Sequence, residues 1–418
     1  MLKEAAESGR DCAGITAAAL VLTALLVFCA GALAQPLPLA KPESVGVSPR
    51  QLAQIAIAMQ REIDKKTMPG AVVAIARKGK LVYFEAFGKL GDDKGTPMPK
   101  DAIFPIASMT KPLTAVGALE LYEQGRLFLN EPVAQYLPQL DKMVVATATG
   151  TEPAYRKPTV QDMMRHTGGV TYGSAEGVVG TSELSKKYGA LNIGNPGAQE
   201  FLNRLGALPL QYQPGTKWAY SLGLDVTGLV EEAIVQQRLG AYLQKSIFQP
   251  LGMVDTSFVV PASKLSRVAL PVPGDPTKEQ GYDVGGGGAY STAADYLRFA
   301  EMLRQGGSLG KVRLLGRKTV EYMTSDQLGP EVDIEALRTW PNLNGYGFGL
   351  SVAVRRGPGV AGILGSPGDF NWGGAFGTYF WVDPKEELTV VLMAHAPGEA
   401  RVHMRQLITT LVYPALMK

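Results

Sequence analysis

Cysteine is nearly absent from this sequence: 418 residues contain two, Cys12 and Cys29, and both fall within the first 34 positions. The chain beyond residue 34 therefore offers no disulfide, no thiol nucleophile and no cysteine metal site. Histidine is almost as scarce, with only His166, His395 and His403. Three such scattered residues, each read as structural, make no metal cluster, and no G-x-S-x-G turn accompanies them to suggest a serine with a histidine base. Excess charge of one sign is also missing. The net charge is +3 with no basic cluster, which argues against nucleic acid as a partner. The composition is not that of a disordered chain, since 46% hydrophobic and 19% charged residues can bury a large core. Forty-nine glycines and 28 prolines imply many turns but show no repeat period. No cofactor is expected.

Long apolar runs are lacking except at the start. After Lys3 and Arg10 a run from Ala13 to Leu33 ends in Ala32-Leu33-Ala34, a small-x-small pattern that reads as a signal peptidase site before Gln35. Residues 1–34 are thus expected to be a signal peptide and the mature protein to be periplasmic or secreted, without a stable membrane partner. The run is long enough to span a bilayer uncleaved, and Glu4, Glu7 and Asp11 make its flank less basic than usual, so an N-terminal membrane anchor is the alternative. Phe28 before Cys29 disfavours a lipid anchor.

The rest alternates between β-rich ends and a helix-rich middle. Ser48 to Asp64 has helical spacing behind a Ser-Pro start. Ala71 to Ala76 and Lys80 to Phe87, split by Arg77-Lys78-Gly79, read as a hairpin of central antiparallel strands. Helices are expected from Ala107 to about Leu127, Thr159 to Met164, Ala198 to Leu205, Asp225 to Gln236 and Ala241 to Phe248. Four glycines, 285 to 288, precede another helix ending at Leu303 and either connect elements or line a site. Tyr346 to Val354, Phe376 to Val382 and Leu388 to Ala394 are strand-like, and Met404 to Leu416 closes as a helix. The fold class is α/β (α+β). An α/β lobe made of residues 35–98 and 285–418, an antiparallel sheet flanked by helices, is interrupted by a helical lobe of residues 99–284, with the site between them.

Ser108 and Lys111 form an S-x-x-K where one of these helices begins. The spacing places both side chains on one helix face, and the unpaired N–H groups of a first turn favour a developing negative charge. A partly desolvated lysine beside the serine can then accept its proton. The tetrad alone is weak, because roughly one is expected by chance in a chain of this length.

Four blocks in order carry more weight: the S-x-x-K, DMMRHTGGV from Asp162 to Val170, IFQPLGMVDT from Ile247 to Thr256, and GGGAYSTAADYLRFAEML from Gly286 to Leu303. Together they resemble the serine β-lactamase-like superfamily, with its β-lactamase/transpeptidase-like fold. Within it the chain is similar to class C β-lactamases and most of all to the β-lactamase-fold carboxylesterases called family VIII. The resemblance implies Ser108 as nucleophile and Lys111 and Tyr220, in Tyr220-Ser221-Leu222, as the proton-transfer pair. It implies an oxyanion hole from the N–H groups of Ser108 and Ala375, and substrate contacts at Trp372, Gly373, Gly374 and Leu222.

Two departures separate the members. Trp372 stands where lactamases have a lysine for the substrate carboxylate, and Leu222 where they have an asparagine for the acylamino side chain. Substrates of that kind would leave polar groups unpaired here. The implied activity is therefore hydrolysis of small-molecule carboxylic esters with short or medium acyl chains. A class C-like β-lactamase or D-Ala-type peptidase, an acyltransferase, and an inactive cell-wall-binding relative remain as alternatives. Tyr172, Tyr282 and Phe348 are further candidates to line the pocket.

Overall fold

The strongest apolar runs of the sequence become the middle of one sheet. In the computed structural model, which describes residues 37–173, 182–340 and 342–417, seven strands form it: β1 (Gly70–Arg77), β2 (Lys80–Gly88), β3 (Tyr346–Phe348), β4 (Ala353–Arg355), β5 (Phe370–Gly373), β6 (Tyr379–Asp383) and β7 (Leu388–Ala394). Their order is β2-β1-β7-β6-β5-β4-β3, antiparallel throughout. The expected signal segment, with both cysteines, lies outside the described residues.

Both faces of this sheet are covered, so its inner strands read as continuous apolar runs and not as alternating ones. Ala71, Val73 and Ile75 of β1, with Leu388, Val390 and Leu392 of β7, pack under two helices, α1 (Pro49–Asp64) and the later Glu399–Val412. Val72, Ala74 and Ala76, with Val391 and Met393, face the other way, into the main core. There they meet α4 (Ala293–Arg304), which comes after α2 (Thr110–Glu123) and α3 (Gly223–Val235) in the chain; Glu399–Val412 is α5. The main core runs without a break from these strands to Leu229, Leu243 and Phe248 of the helix-rich part. The boundaries expected at 98/99 and 284/285 thus cross a single apolar core.

Local signals set the element ends. Ser48 accepts from the N–H of Gln51 and Pro49 opens α1, and Thr159 with Asp162 makes a capping box for Val160–Met164. The hairpin β1–β2 turns at Lys78 and Gly79, both with positive φ, the geometry that fits the right-handed twist of its strands. Gly125, φ +67, lies just past the end of α2.

Four expectations need correction. β2 is the edge strand and not a central one, because its far side is met only by the Pro38–Ala40 segment, which bonds to Leu81 at a single bridge and does not continue as a strand. The stretch Tyr346 to Val354 is two strands, since Ser351 takes a left-handed φ of +74 and reverses the chain. The last helix begins at Glu399, five residues early, immediately after Gly398. Nor is the 99–284 part purely helical: Val144–Ala146 pairs with Thr151–Pro153, and Phe104–Pro105 with Tyr290–Ser291.

Two acids lie where α2 and α3 cross. Gly117 allows the approach, because a Cβ there would collide with the buried carboxyl of Glu231. Burial pushes Glu231 well above its usual range and Glu120 up to about 7. A carboxyl whose folded pKa exceeds its unfolded one contributes stability below the unfolded value and loses it as pH rises through the folded one. Thermal denaturation should therefore show Tm falling between pH 4.5 and 8, and Glu120→Gln should lessen that fall. An equal fall in the variant would assign the pH dependence to other groups.

Candidate active site

Ser108 sits in a single 3-10 turn, Ala107–Met109, that runs directly into α2. Ala107 before it has a φ of +43, a conformation a residue with a Cβ adopts only under constraint from its surroundings. That turn exposes the serine at the junction of two cavities. One arm is lined by Tyr220, Trp340, Leu343, Ile363, Trp372 and the backbone of residues 373 to 375, with Asn342, Arg401, Arg405 and Gln406 at a polar side. The other runs past Tyr172, Phe258, Gly286, Tyr290 and Phe376.

Two of the residues expected in the site converge on the oxygen of a third, Ser108. Tyr220 Oη lies 2.7 Å from Ser108 Oγ, and Lys111 Nζ lies 3.2 Å from it. Lys111 is fully buried, and its amine also donates to the carbonyl of Gly286 at 2.6 Å and to Tyr172 Oη at 2.9 Å. The rings of Tyr172 and Tyr220 face it with centroids 5.1 and 4.6 Å away. Behind Tyr172 stands Asp225, whose Oδ2 accepts from the phenol at 3.2 Å. Burial and the Asp225 carboxylate hold the Tyr172 phenol protonated, so its hydrogen points at Asp225 and its lone pair at Lys111.

These directions limit what the triad can do. Two N–H bonds of Lys111 are committed to acceptors that cannot donate back. Two states of the third valence leave Ser108 a base, a lone pair on the amine with Tyr220 a phenol or an N–H with Tyr220 a phenolate, whereas an ammonium and a phenol both donating to Oγ hold one proton more and leave none. The two arrangements contain the same number of protons, and either gives Ser108 a base within reach.

Tyr220 is held from behind by an aromatic wall. His166, Trp340 and Trp372 lie 4.8, 5.0 and 5.4 Å from its ring centroid, and the N–H of Ala219 donates to the His166 carbonyl at 3.0 Å. His166 Nδ1 is 2.9 Å from Ser221 Oγ. Burial, helped by Lys111, holds this imidazole well below its ordinary pKa, so it stays neutral and packs.

Trp372, Gly373, Gly374 and Ala375 line the first arm, Trp372 and Gly373 at the end of β5. Thr378 ties this edge to the nucleophile turn by donating to the carbonyl of Ile106 at 3.3 Å. Leu222 is a correction. It is 2% exposed, belongs to the main core and lines neither cavity, because the turn that caps α3 directs it inward. Of the other aromatic candidates, Tyr172 lines the second arm, while Tyr282 and Phe348 are core residues.

Sequence reasoning missed Asp225, Arg401 and Arg405. Asp225 was visible as an acid in the first turn of an otherwise apolar helix, a position that suits a buried carboxylate. The arginines are one helical turn apart, but the expected helix began after the first of them.

The Beta-lactamase family model matches residues 55–412. The chain belongs to the Beta-lactamase family. Protein Rv1367c of Mycobacterium tuberculosis (strain ATCC 25618 / H37Rv) is 34% identical over 360 residues, covering 81% of this chain and 88% of that protein. Esterase EstB of Burkholderia gladioli is 30% identical over 374 residues, covering 83% and 91%. The solved structure of EstCE1, described as a hydrolase with promiscuous acyltransferase activity, matches with a TM-score of 0.74 at 25% identity, covering 87% of this chain and 99% of that one. The protein is a serine hydrolase of β-lactamase fold.

Removing the phenol of Tyr172 leaves one Lys111 donor and one Asp225 acceptor buried without that partner. Tyr172→Phe should lower kcat by about 10- to 100-fold, the equivalent of about 1.5–3 kcal/mol for a hydrogen bond to a charged group. The check is steady-state kinetics on an activated ester beside a melting curve; an unaltered kcat would remove Tyr172 from the proton-transfer network.

Proposed function

We propose that this protein hydrolyses carboxylic esters of short to medium acyl chain through an acyl-Ser108 intermediate. The observation that carries the reading is the position of Ser108 Oγ between Lys111 Nζ and Tyr220 Oη, beside an arm walled by Trp340, Leu343, Ile363 and Trp372. An apolar acyl group leaves no polar partner of its own unpaired against such a wall. The 30% identity to Esterase EstB points the same way.

In the acylation half, Ser108 Oγ attacks the ester carbonyl as its proton passes to the Lys111–Tyr220 pair. The carbonyl oxygen becomes an oxyanion, which the N–H groups of Ser108 and Ala375 would receive. Collapse breaks the ester C–O bond, and the pair returns the proton to the departing alcohol. Water then repeats the sequence on the acyl-serine: its proton goes to the pair, the carboxylic acid leaves, and Ser108 regains its hydrogen.

A second reading, acyl transfer to an alcohol, is favoured by the second arm. Ser108 lies at the mouth of both cavities, so an acyl group in one leaves the other open to an acceptor. The likeness to EstCE1 supports it. The first half-reaction is common to both.

Turnover of p-nitrophenyl esters of increasing chain length should exceed that of nitrocefin, and Ser108→Ala should abolish it, with a fluorophosphonate adduct mapping to Ser108. Fast nitrocefin hydrolysis with slow ester turnover would favour the β-lactamase alternative, and neither activity would favour a binding protein.

A further inference from the structure

Two backbone groups have been assigned to the oxyanion, and one of them, the N–H of Ala375, belongs to the peptide that links it to Gly374. The carbonyl of that same peptide accepts a hydrogen bond from Arg405 Nη2 at 2.6 Å. A trans peptide is planar, with its C=O and N–H pointing in opposite directions. Whatever holds the carbonyl of Gly374 on one side therefore aims the N–H of Ala375 to the other. Ala375 and Arg405 both line the arm that contains Ser108, with Arg405 reaching the peptide from α5.

We propose that Arg405 is a positioning residue for the oxyanion hole: its guanidinium fixes and polarises the Gly374–Ala375 peptide so that the Ala375 N–H faces the reacting carbonyl. The inference rests on the acyl-serine reading and adds a residue to it. A charged donor on the carbonyl strengthens the amide as a donor at its other end, by the cooperativity of chained hydrogen bonds.

The surroundings show that the guanidinium has a prepared place. A Cβ on Gly373 would collide with Arg405 Nη2 and come within 2.5 Å of its Cζ and 2.8 Å of its Nε, so glycine at 373 is what lets the side chain lie against the strand. Arg405 also reaches the carbonyl of Thr378 at 3.4 Å and lies over the Tyr379 ring at 5.5 Å. Gly374 itself abuts Ile106, two residues before Ser108, and the N–H of Gly374 bonds to the Thr378 carbonyl at 2.8 Å. Peptide 374–375 is therefore gripped at its carbonyl by the arginine, with the N–H of Gly377 as a longer second donor at 3.2 Å, and at its flank by the turn that carries Ser108.

A weakened oxyanion hole has a signature that general damage lacks. Sulfur is a weak hydrogen-bond acceptor, so a thionoester draws less on the two N–H donors than its oxygen analogue. In Arg405→Met, kcat for p-nitrophenyl butyrate should fall about 10- to 100-fold, short of the loss expected for deleting a donor outright, with KM little changed. The oxo-to-thiono ratio of kcat/KM should narrow by a similar factor, and Arg405→Lys should recover part of it. Damage to Ser108, Lys111 or Tyr220 would lower both substrates together and leave the ratio alone, and that result in a folded Arg405→Met would overturn the proposal.

Gly373→Ala, which displaces the guanidinium but keeps Arg405, gives the same decision if the Met variant does not fold. A narrowed ratio supports the assignment and an unchanged one refutes it. If the unaltered protein turned over no ester, the esterase reading would fall separately. The rate of fluorophosphonate labelling at Ser108, whose P=O uses the same donors, would then report on Arg405: slowed labelling in the variant sustains the role, and equal labelling removes it.

Discussion

The structure depends on a lysine amine placed where no water reaches it. A buried amine or ammonium without partners costs several kcal/mol, so each valence of Lys111 Nζ has to find a hydrogen-bond partner. The structure supplies the Gly286 carbonyl, the Tyr172 phenol and the Ser108 hydroxyl, and each imposes a further condition. The carbonyl can approach only because residue 286 has no side chain, since a Cβ there would run into Asp225 and come within 2.6 Å of Tyr172 Oη. Tyr172 can accept from the lysine only if its own hydrogen has somewhere else to go, and that is Asp225. Burial raises Asp225 while Lys111 and the phenol pull it back toward the charged form, so acid, phenol and amine form one mutually dependent set.

The same constraint explains the aromatic wall. Tyr220 must keep its oxygen 2.7 Å from Ser108 without itself swinging into the open arm. Rings of His166, Trp340 and Trp372 confine it on several sides, and the neutral state of His166 matters because a second cation there would oppose Lys111. A histidine near a catalytic serine would ordinarily suggest a base. Here its depressed pKa comes from the burial that makes it a packing element.

Much of this was legible in the sequence where a local rule governed. The Ser-Pro start of α1, the Arg77-Lys78-Gly79 turn and the Thr159 cap each act within a few residues, and the S-x-x-K needs only one helical turn to bring its two groups together. Features that depended on distant partners were not legible. The edge position of β2 shows only in the single bridge between Leu39 and Leu81, and Leu222 faces the core because of the turn leading into α3, although its motif position suggested a substrate contact. Asp225 looks like a helix-start acid until Tyr172 and Lys111 are seen against it. Arg405 looks like a surface charge until the glycine beneath it is recognised as its seat.

Placing the nucleophile at a seam rather than inside one element has a chemical consequence. Ser108 and Lys111 come from the turn into α2, Tyr220 from the segment before α3, Gly374 and Ala375 from the residues just past β5, and the lysine's carbonyl from the glycine run. Among the described residues one apolar core joins sheet and helices, and Thr378, in the turn between β5 and β6, bonds across to Ile106. Close-packed interiors deform little, so the distances at Ser108 are maintained without substrate, and binding free energy is not spent assembling the triad. Specificity is then left to the two arms, whose walls come from different segments: the sheet edge with α5 on one side, the glycine run with the loops around Phe258 and Pro276 on the other. Residues of either wall can change without disturbing the proton-transfer cage. A site arranged this way can exchange one acyl or alcohol group for another while the chemistry at the serine stays the same.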